Sequence, residues 1–317
     1  MNPNTPAPAH DFPAILARLA AQQTAGIACH TLSDGLTVWV RKAGPRNAAW
    51  RYALLGMITR PLRLGVLKPV PNLGGEKAVA TEARRLRQLA AAGIRVPELL
   101  AEQSDALLLG SLGGISLEDR IEQEAEGGHL TAWTAGLDAI GQVHARGQFL
   151  SQAFARNIMA DNGSIAFLDF EDDPSEILSL EECQSRDWLC YLHSTTLLLK
   201  RHGLLAQAAA LWHDKRSARP ENIRRLVAQT ARPVAWMRRL SSPKWGRDVL
   251  RIAALAALFA QADSDLNRRK TQRPSEKNVL RIFRRPLPLG RVGLDPPFAE
   301  SGMIVVGQDP PCVFRRM

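Results

Sequence analysis

The sequence predicts an α+β chain, with a small β-rich lobe followed by a mainly helical one. Three observations carry this. Two short alternating segments flank a turn at Ser33-Asp34-Gly35, a second hairpin follows near residue 160, and most of the chain after residue 113 has helical periodicity. Of the 317 residues, 45% are hydrophobic and 23% charged, the composition of a folded chain with a sizeable core.

Taken in order, residues 1–23 read as a flexible leader, its first dozen rich in Pro and Ala. Residues 27–32 and 37–42 form a hairpin. Residues 48–67 alternate Trp50, Tyr52, Leu54, Leu55 and Ile58 with arginines, an amphipathic stretch for packing or for a membrane surface. A helix spans 76–92 and is closed by Gly93. Residues 106–109 make a short buried strand that ends in the connector 110–114. Thr131 is placed to cap a helix running to Ala145. The second hairpin, 157–160 with 164–170, turns through Asp161-Asn162-Gly163, and Ser179-x-x-Glu182 is a capping box. Helices are expected over 204–213, 221–239 and 245–266. The domain boundaries follow: leader 1–23, first lobe 24–112, second lobe 113–266, and a basic, Pro/Gly-rich tail 267–317.

The composition narrows the function classes. The start of the chain lacks a basic segment followed by an apolar one, so no signal peptide is expected. The longest apolar run, 252–260, falls well short of the roughly 20 residues of a bilayer span. Cys29, Cys183, Cys190 and Cys312 have no C-x-x-C spacing and read as structural thiols in a reducing compartment. These features lead to the expectation of a cytoplasmic protein, with peripheral contact at the inner membrane face as an option. The net charge of +10 suits nucleic acid, anionic lipid or phosphorylated substrates equally.

The candidate site is read from spacing. With a turn at Asn162-Gly163, facing residues of the second hairpin sum to 325, which brings Asn157 beside Asp169. An amide and a carboxylate oxygen there suit Mg²⁺; the alternative is a surface turn with incidental polar groups. Asp169 ends an apolar strand and needs a partner. Glu171 belongs to the same acidic run, while Asp172 and Asp173 read as turn residues before Pro174. Val38, Val40 and Lys42 share one strand face, a flat wall for a base with a cation near its phosphates; Trp39 and Arg41 share the other. Glu82 lies on the apolar stripe of its helix, away from the Arg84/Arg85/Arg87 face, with Lys42 as its expected partner and Arg41 as the fallback. His144, on the face of Trp133, Leu137 and Ile140, reads as a hydrogen-bonded core histidine.

Over residues 26–198 these parts, in this order, resemble the protein-kinase-like phosphotransferases, in particular the bacterial lipopolysaccharide core (Kdo and heptose) kinases and the atypical RIO-type kinases. The resemblance implies a bilobal protein-kinase-like fold and the cofactors ATP and Mg²⁺. Val38-Trp-Val-Arg-Lys42 corresponds to the strand lysine motif and Glu82 to its helix partner. Residues 108–114 correspond to the hinge, with Leu109 and Val40 as nucleotide contacts. Asn157 and Asp169-Phe170-Glu171 correspond to the metal-binding positions. Asp187 resembles the buried aspartate that steadies the catalytic loop. The position of the base aspartate, five before Asn157, holds Gln152, which orients a hydroxyl without accepting its proton. There is no clear Gly-rich phosphate loop before Lys42. Little chain separates Asp169 from the Ser179 helix, which favours a small-molecule or glycolipid acceptor over a protein. The resemblance thus implies a phosphotransferase with catalytic residues Gln152 and Asp169. The alternatives are a nucleotide-binding pseudokinase scaffold or regulator, and a basic RNA- or complex-associated subunit, although residues 264–291 offer a single stacking aromatic, Phe283.

Overall fold

The computed structural model describes residues 10–44 and 74–272, with side chains to residue 264. The chain divides into two units, 1–266 and 267–317, and the account below concerns the first. The amphipathic stretch 48–67, Cys312 and nearly all of the basic tail lie outside the described residues.

The protein is α+β, with a small antiparallel sheet and a mostly helical remainder. Helix α1 (Phe12–Gln22) leads into strands β1 (Ile27–Thr31) and β2 (Thr37–Lys42). Helix α2 (Gly75–Ala91) precedes β3 (Leu99–Gln103) and β4 (Ala106–Gly110). These strands form one sheet in the order β1-β2-β4-β3. A short β5 (Ile115–Ser116) opens α3 (Leu117–Glu126) and α4 (Thr131–Ala145). Then β6 (Ile158–Asp161) and β7 (Ser164–Phe167) pair with β5 in a second sheet, ordered β5-β6-β7. Helices α5 (Leu180–Arg201), α6 (Leu205–Ser217), α7 (Glu221–Ala231) and α8 (Arg247–Gln272) complete the described residues.

The leader expectation is corrected at α1. Asp11 caps this helix by accepting from the Ala14 N–H, and Pro13 supplies a preset first turn. Leu16, Leu19 and Ala20 are buried against Val38, Val40, Ala101, Ala106 and Leu108, so α1 covers β2, β4 and β3 on one face of the first sheet. The opposite face, through Leu107 and Leu109, joins the main core with Val79, Ala83, Leu86 and Leu89 of α2. The central strands β2 and β4 are therefore packed on both sides, and their two side-chain rows meet different partners.

Several boundaries have local causes. α2 ends where Gly93 takes φ +71 and the Ile94 N–H reaches the Leu89 carbonyl. Thr131 is not the cap of α4: the Glu124 carboxylate accepts from the Ala132 N–H in that role. The Ser179/Glu182 capping box forms as its spacing requires. The helix expected over 221–239 stops at Ala231, and 232–239 tighten into a 3₁₀ segment whose second residue, Pro233, lacks an N–H. α3 was not anticipated, although Ser116 accepts from the Asp119 N–H and Leu117, Ile121 and Ala125 give the helical stripe.

The aromatic core of the helical part stacks Trp133, Trp188, Tyr191 and Trp212, all fully buried. Tyr191 donates to the Trp133 carbonyl and the Trp133 indole N–H to Thr195, so these two rings also satisfy their polar atoms, whereas the indole N–H groups of Trp188 and Trp212 are buried without a hydrogen bond among the described residues. Among the described residues no helix is long and apolar enough to cross a membrane.

If α1 is part of the fold, Leu16→Ala should destabilise the protein by about 2–4 kcal/mol in urea unfolding. A loss below about 0.5 kcal/mol, the level of an ordinary surface substitution, would return residues 12–22 to a loose leader.

Candidate functional site

The second hairpin folds in the register that the sequence gives: Ile158 faces Phe167 and Asp161 faces Ser164. Beyond the last pair, the Leu168 N–H donates to the Asn157 carbonyl. The chain then bends sharply, with Asp169 at φ +70, and the Asn157 amide donates to Asp169 Oδ2 at 3.0 Å. A left-handed conformation at a non-glycine residue costs on the order of 1–3 kcal/mol and persists only when the surroundings impose it. Here Phe170, next in the chain and fully buried in the core, holds the bend.

The expectation for the first lobe is corrected by one residue. Lys42 does not reach Glu82. Its ammonium donates to the carbonyls of Ala20 (2.9 Å) and Gln23 (3.1 Å) at the C-terminal end of α1, where cations are favoured. Val40 is likewise buried beneath α1, so neither residue lies on the face toward Asp169. The physical reason is strand alternation: covering the Val38/Val40/Lys42 row with α1 turns Trp39 and Arg41 to the other side. Trp39 pairs with Leu109 across the strands and Arg41 with Leu107, so Leu109 does belong to the site-facing row.

Arg41 Nε lies 2.7 Å from Glu82 Oε2, and its Nη2 lies 2.7 Å from Glu171 Oε2 and 3.5 Å from Asp169 Oδ1. One guanidinium thus joins a strand, a helix and the turn after β7. Burial works against its charge, yet Glu82, Asp169 and Glu171 outweigh it and hold Arg41 above its ordinary value. Glu82 moves the other way for an acid: burial raises it from 4.5 to about 7, against the attraction of Arg41 and a hydrogen bond from the Phe170 N–H. The two shifts agree once charges are counted. Three carboxylates share one cation, and Glu82 is the most deeply buried of them.

Helix α2 makes two further links. Arg85, expected on the solvent face, is buried; its Nη2 donates to the Phe149 carbonyl (2.7 Å) and its guanidinium lies 3.9 Å over the Phe149 ring. Arg84 pairs with Asp173 at 2.8 Å. Asp173 also accepts from the Ser175 N–H and hydroxyl, so this residue is a buried anchor instead of a loose turn position.

The loop 149–157 is fixed from below by Asp187, which is fully buried on α5. One of its oxygens accepts both from the Leu150 N–H at 2.8 Å and from His144 Nε2 at 2.9 Å. His144 is a hydrogen-bonded core histidine, edge-on to Trp188. Ser151, which follows Leu150, is buried at φ +70. Gln152 then donates its side-chain amide to both oxygens of Asp172, at 2.9 and 2.8 Å, while its backbone carbonyl accepts from the Asn157 amide. Asp172 is buried, and desolvation with the neighbouring Asp169 pushes it up to about 6, against the hydrogen bond from Gln152.

The structure therefore brings Arg41, Glu82, Gln152, Asn157, Asp169, Glu171 and Asp172 together, and separates Val40 and Lys42 from them. Asp172 was read as a turn residue and Arg41 as second choice. The overlooked signal is the spacing of Phe12, Ile15, Leu16 and Leu19, an amphipathic helix that assigns the faces of β2. With both Asn157 N–H bonds spent on Asp169 and Gln152, the amide oxygen is the Asn157 atom suited to a hard cation alongside the Asp169 carboxylate. Among the described residues no three His, Cys, Asp or Glu side chains gather as a metal-holding group, so water and phosphate oxygens would have to complete such a site. No family model matches the sequence, and no curated protein matches it.

Two outcomes follow. Arg41→Met should cost about 3–5 kcal/mol, because it leaves buried Glu82 without its cation, whereas Lys42→Met, which removes two bonds to half-buried carbonyls, should cost less. Equal losses in urea unfolding would contradict the pairing. The folded state holds the Glu82 proton more tightly than the unfolded chain does, and Asp172 has the same sign. Stability from these groups is present below pH 4.5 and is lost as pH rises to about 7. In Glu82→Gln the fall in unfolding free energy between pH 5 and pH 8 should be smaller than in the wild type.

Proposed function

We propose that this protein is an ATP- and Mg²⁺-dependent phosphotransferase of the bilobal, protein-kinase-like class, acting on a small-molecule or glycolipid acceptor. The observation that carries the reading is the meeting of Arg41 and Glu82 from the first lobe with the Asn157/Asp169 pair of the second hairpin. A cation fixed by a helix glutamate beside an amide–carboxylate pair is the equipment needed to hold a nucleotide's phosphates.

In this reading Arg41 takes the place of the strand lysine and donates to phosphate oxygens through a planar, bidentate group. Asp169 and the Asn157 oxygen would hold Mg²⁺, which neutralises charge on the phosphates. Trp39 and Leu109, neighbours on the site-facing strand row, would flank the base. Asp187 fixes the loop so that Gln152 presents its carboxamide to the acceptor hydroxyl. The chain between Asp169 and Ser179 is short and committed to Arg41, Arg84 and the core, which favours a small or glycolipid hydroxyl over a protein acceptor. The cytoplasm, at or near the inner membrane face, is the compartment this substrate class implies.

A second reading, a pseudokinase that binds nucleotide as a scaffold or regulator, is favoured by one specific observation. The Gln152 amide is fully engaged by Asp172, and a carboxamide takes no proton from an acceptor.

Thermal melting with and without Mg·ATP tests the nucleotide site. Ligand at 100 times its Kd should add about 2.7 kcal/mol of stability, lost in Asp169→Ala; no shift in the wild type would remove both readings. Phosphate transfer to water or acceptor then separates the two readings. Wild-type turnover that is abolished by Asp169→Ala supports the enzyme. A nucleotide-dependent shift with no turnover in the wild type, restored in Gln152→Asp, supports the scaffold.

A further inference from the structure

Between α7 and α8 the surface has a composition that the phosphotransfer reading does not use. Trp236 is 60% exposed and Trp245 47%, and they are the only aromatic residues among the exposed large hydrophobics of the described chain. The 3₁₀ segment 232–239 has three residues per turn, so its rows are i, i+3. Val234 and Met237, with Leu240 beyond, form the half-buried row against the protein. Trp236 and Arg239 form an outward row, and Arg238 is exposed beside them. Pro243, Lys244, Trp245 and Arg247 then extend the exposed strip. Arg232, Arg238, Arg239, Lys244 and Arg247 are all exposed, and residues 232–247 contain no acid.

Two exposed indoles among the exposed cations Arg232, Arg238, Arg239 and Lys244 suit an anionic counterpart. Two long stretches of the chain are themselves basic: residues 45–73 carry Arg46, Arg51, Arg60, Arg63 and Lys68 with no acid, and residues 267–317 carry eleven basic residues against four acidic ones. A second copy would oppose the same strip to itself, like charge on like. We propose that residues 232–247 form a docking surface for an anionic lipid bilayer, with Trp236 and Trp245 at headgroup depth and the arginines on lipid phosphates.

Indole rings beside prolines and half-exposed aliphatic groups match the membrane–water interface, where an apolar ring and its polar N–H are both satisfied. Arginine and lysine near such a surface gain from its negative potential, each by about a fivefold change in binding. A single-stranded nucleic acid would instead need open aromatic faces on which bases stack. Lys244 already lies over the Trp245 ring, 5.3 Å from its centre. The proposal stands apart from phosphotransfer, since the residues bonded to Arg41 and Asp169 are Glu82, Asn157 and Glu171, none of them in this strip.

Co-sedimentation of the full chain with vesicles tests it, using pure phosphatidylcholine and a phosphatidylcholine–phosphatidylglycerol mixture at low and high salt. Binding is expected to the mixture alone and to weaken with salt. Arg238→Gln with Arg239→Gln should weaken it about 25-fold, and Trp236→Ser with Trp245→Ser at least about tenfold. Both double variants should keep the wild-type melting temperature, because every altered side chain is exposed. Absence of binding to the anionic vesicles overturns the proposal, as does equal binding by the wild type and both double variants. Salt-dependent binding to a single-stranded RNA oligonucleotide that those substitutions abolish, with vesicle binding absent, overturns it in favour of nucleic acid.

Discussion

The guanidinium of Arg41 is the constraint on which the site geometry rests. It faces Glu82 from α2, Asp169 from the strained turn and Glu171 two residues later. Lose the cation and the buried Glu82 carboxylate confronts those of Asp169 and Glu171, each repelling the next. Its charge therefore fixes the distance between the first sheet and the second hairpin, which share no strand. The arrangement also dictates what happens on the far side of the sheet. If Arg41 points toward Asp169, Val38, Val40 and Lys42 must point away, and burying two valines there requires a second cover. Helix α1 is that cover, and Lys42 binds its last carbonyls.

A second fixed point, Asp187, acts on the loop rather than on the charges. Its carboxylate receives the Leu150 N–H one residue before Ser151 enters the left-handed region. Asp169 enters the same region beside Phe170, whose ring is locked in the core. Both strained residues thus lie next to a residue that the core or a buried acid holds rigid. Strain persists where neighbours over-determine the backbone, and here those neighbours aim Gln152, Asn157 and Asp169 at one another.

Much of this was legible in the sequence, for physical reasons that can be named. The Asn162-Gly163 turn sets the hairpin register, and the register places Asn157 at Asp169 without further information. Glu82 on an apolar stripe announced a buried acid in need of a cation. What the sequence left open was which face of β2 supplies it. A period of two defines two faces but does not say which one meets the site; only the packing of another element decides. That element was α1, whose Pro- and Ala-rich approach looked like a leader although Phe12, Ile15, Leu16 and Leu19 carry a helical stripe. Arg85 escaped for a related reason. Three residues from Glu82 it shares the inward side, and its long side chain brings the charged end to the Phe149 carbonyl while its stem stays among apolar neighbours.

The Gln152–Asp172 couple bears on how the loop should be understood. A loop released from function would be expected to leave a glutamine in solvent and a buried aspartate to be replaced, because burying a carboxylate costs several kcal/mol unless it is bonded. Here the amide nitrogen lies within 2.9 Å of both carboxylate oxygens, and the backbone carbonyl of the same residue receives Asn157. The Gln152 side chain is thus oriented by Asp172, and its backbone is tied to Asn157. For the proposed transfer, positioning and charge stabilisation outweigh proton removal, because the transition state is loose and the acceptor proton leaves late. An oriented carboxamide serves that requirement if it can leave Asp172, whereas a carboxamide that stays on Asp172 is what the scaffold reading uses, so the two readings divide on this one couple.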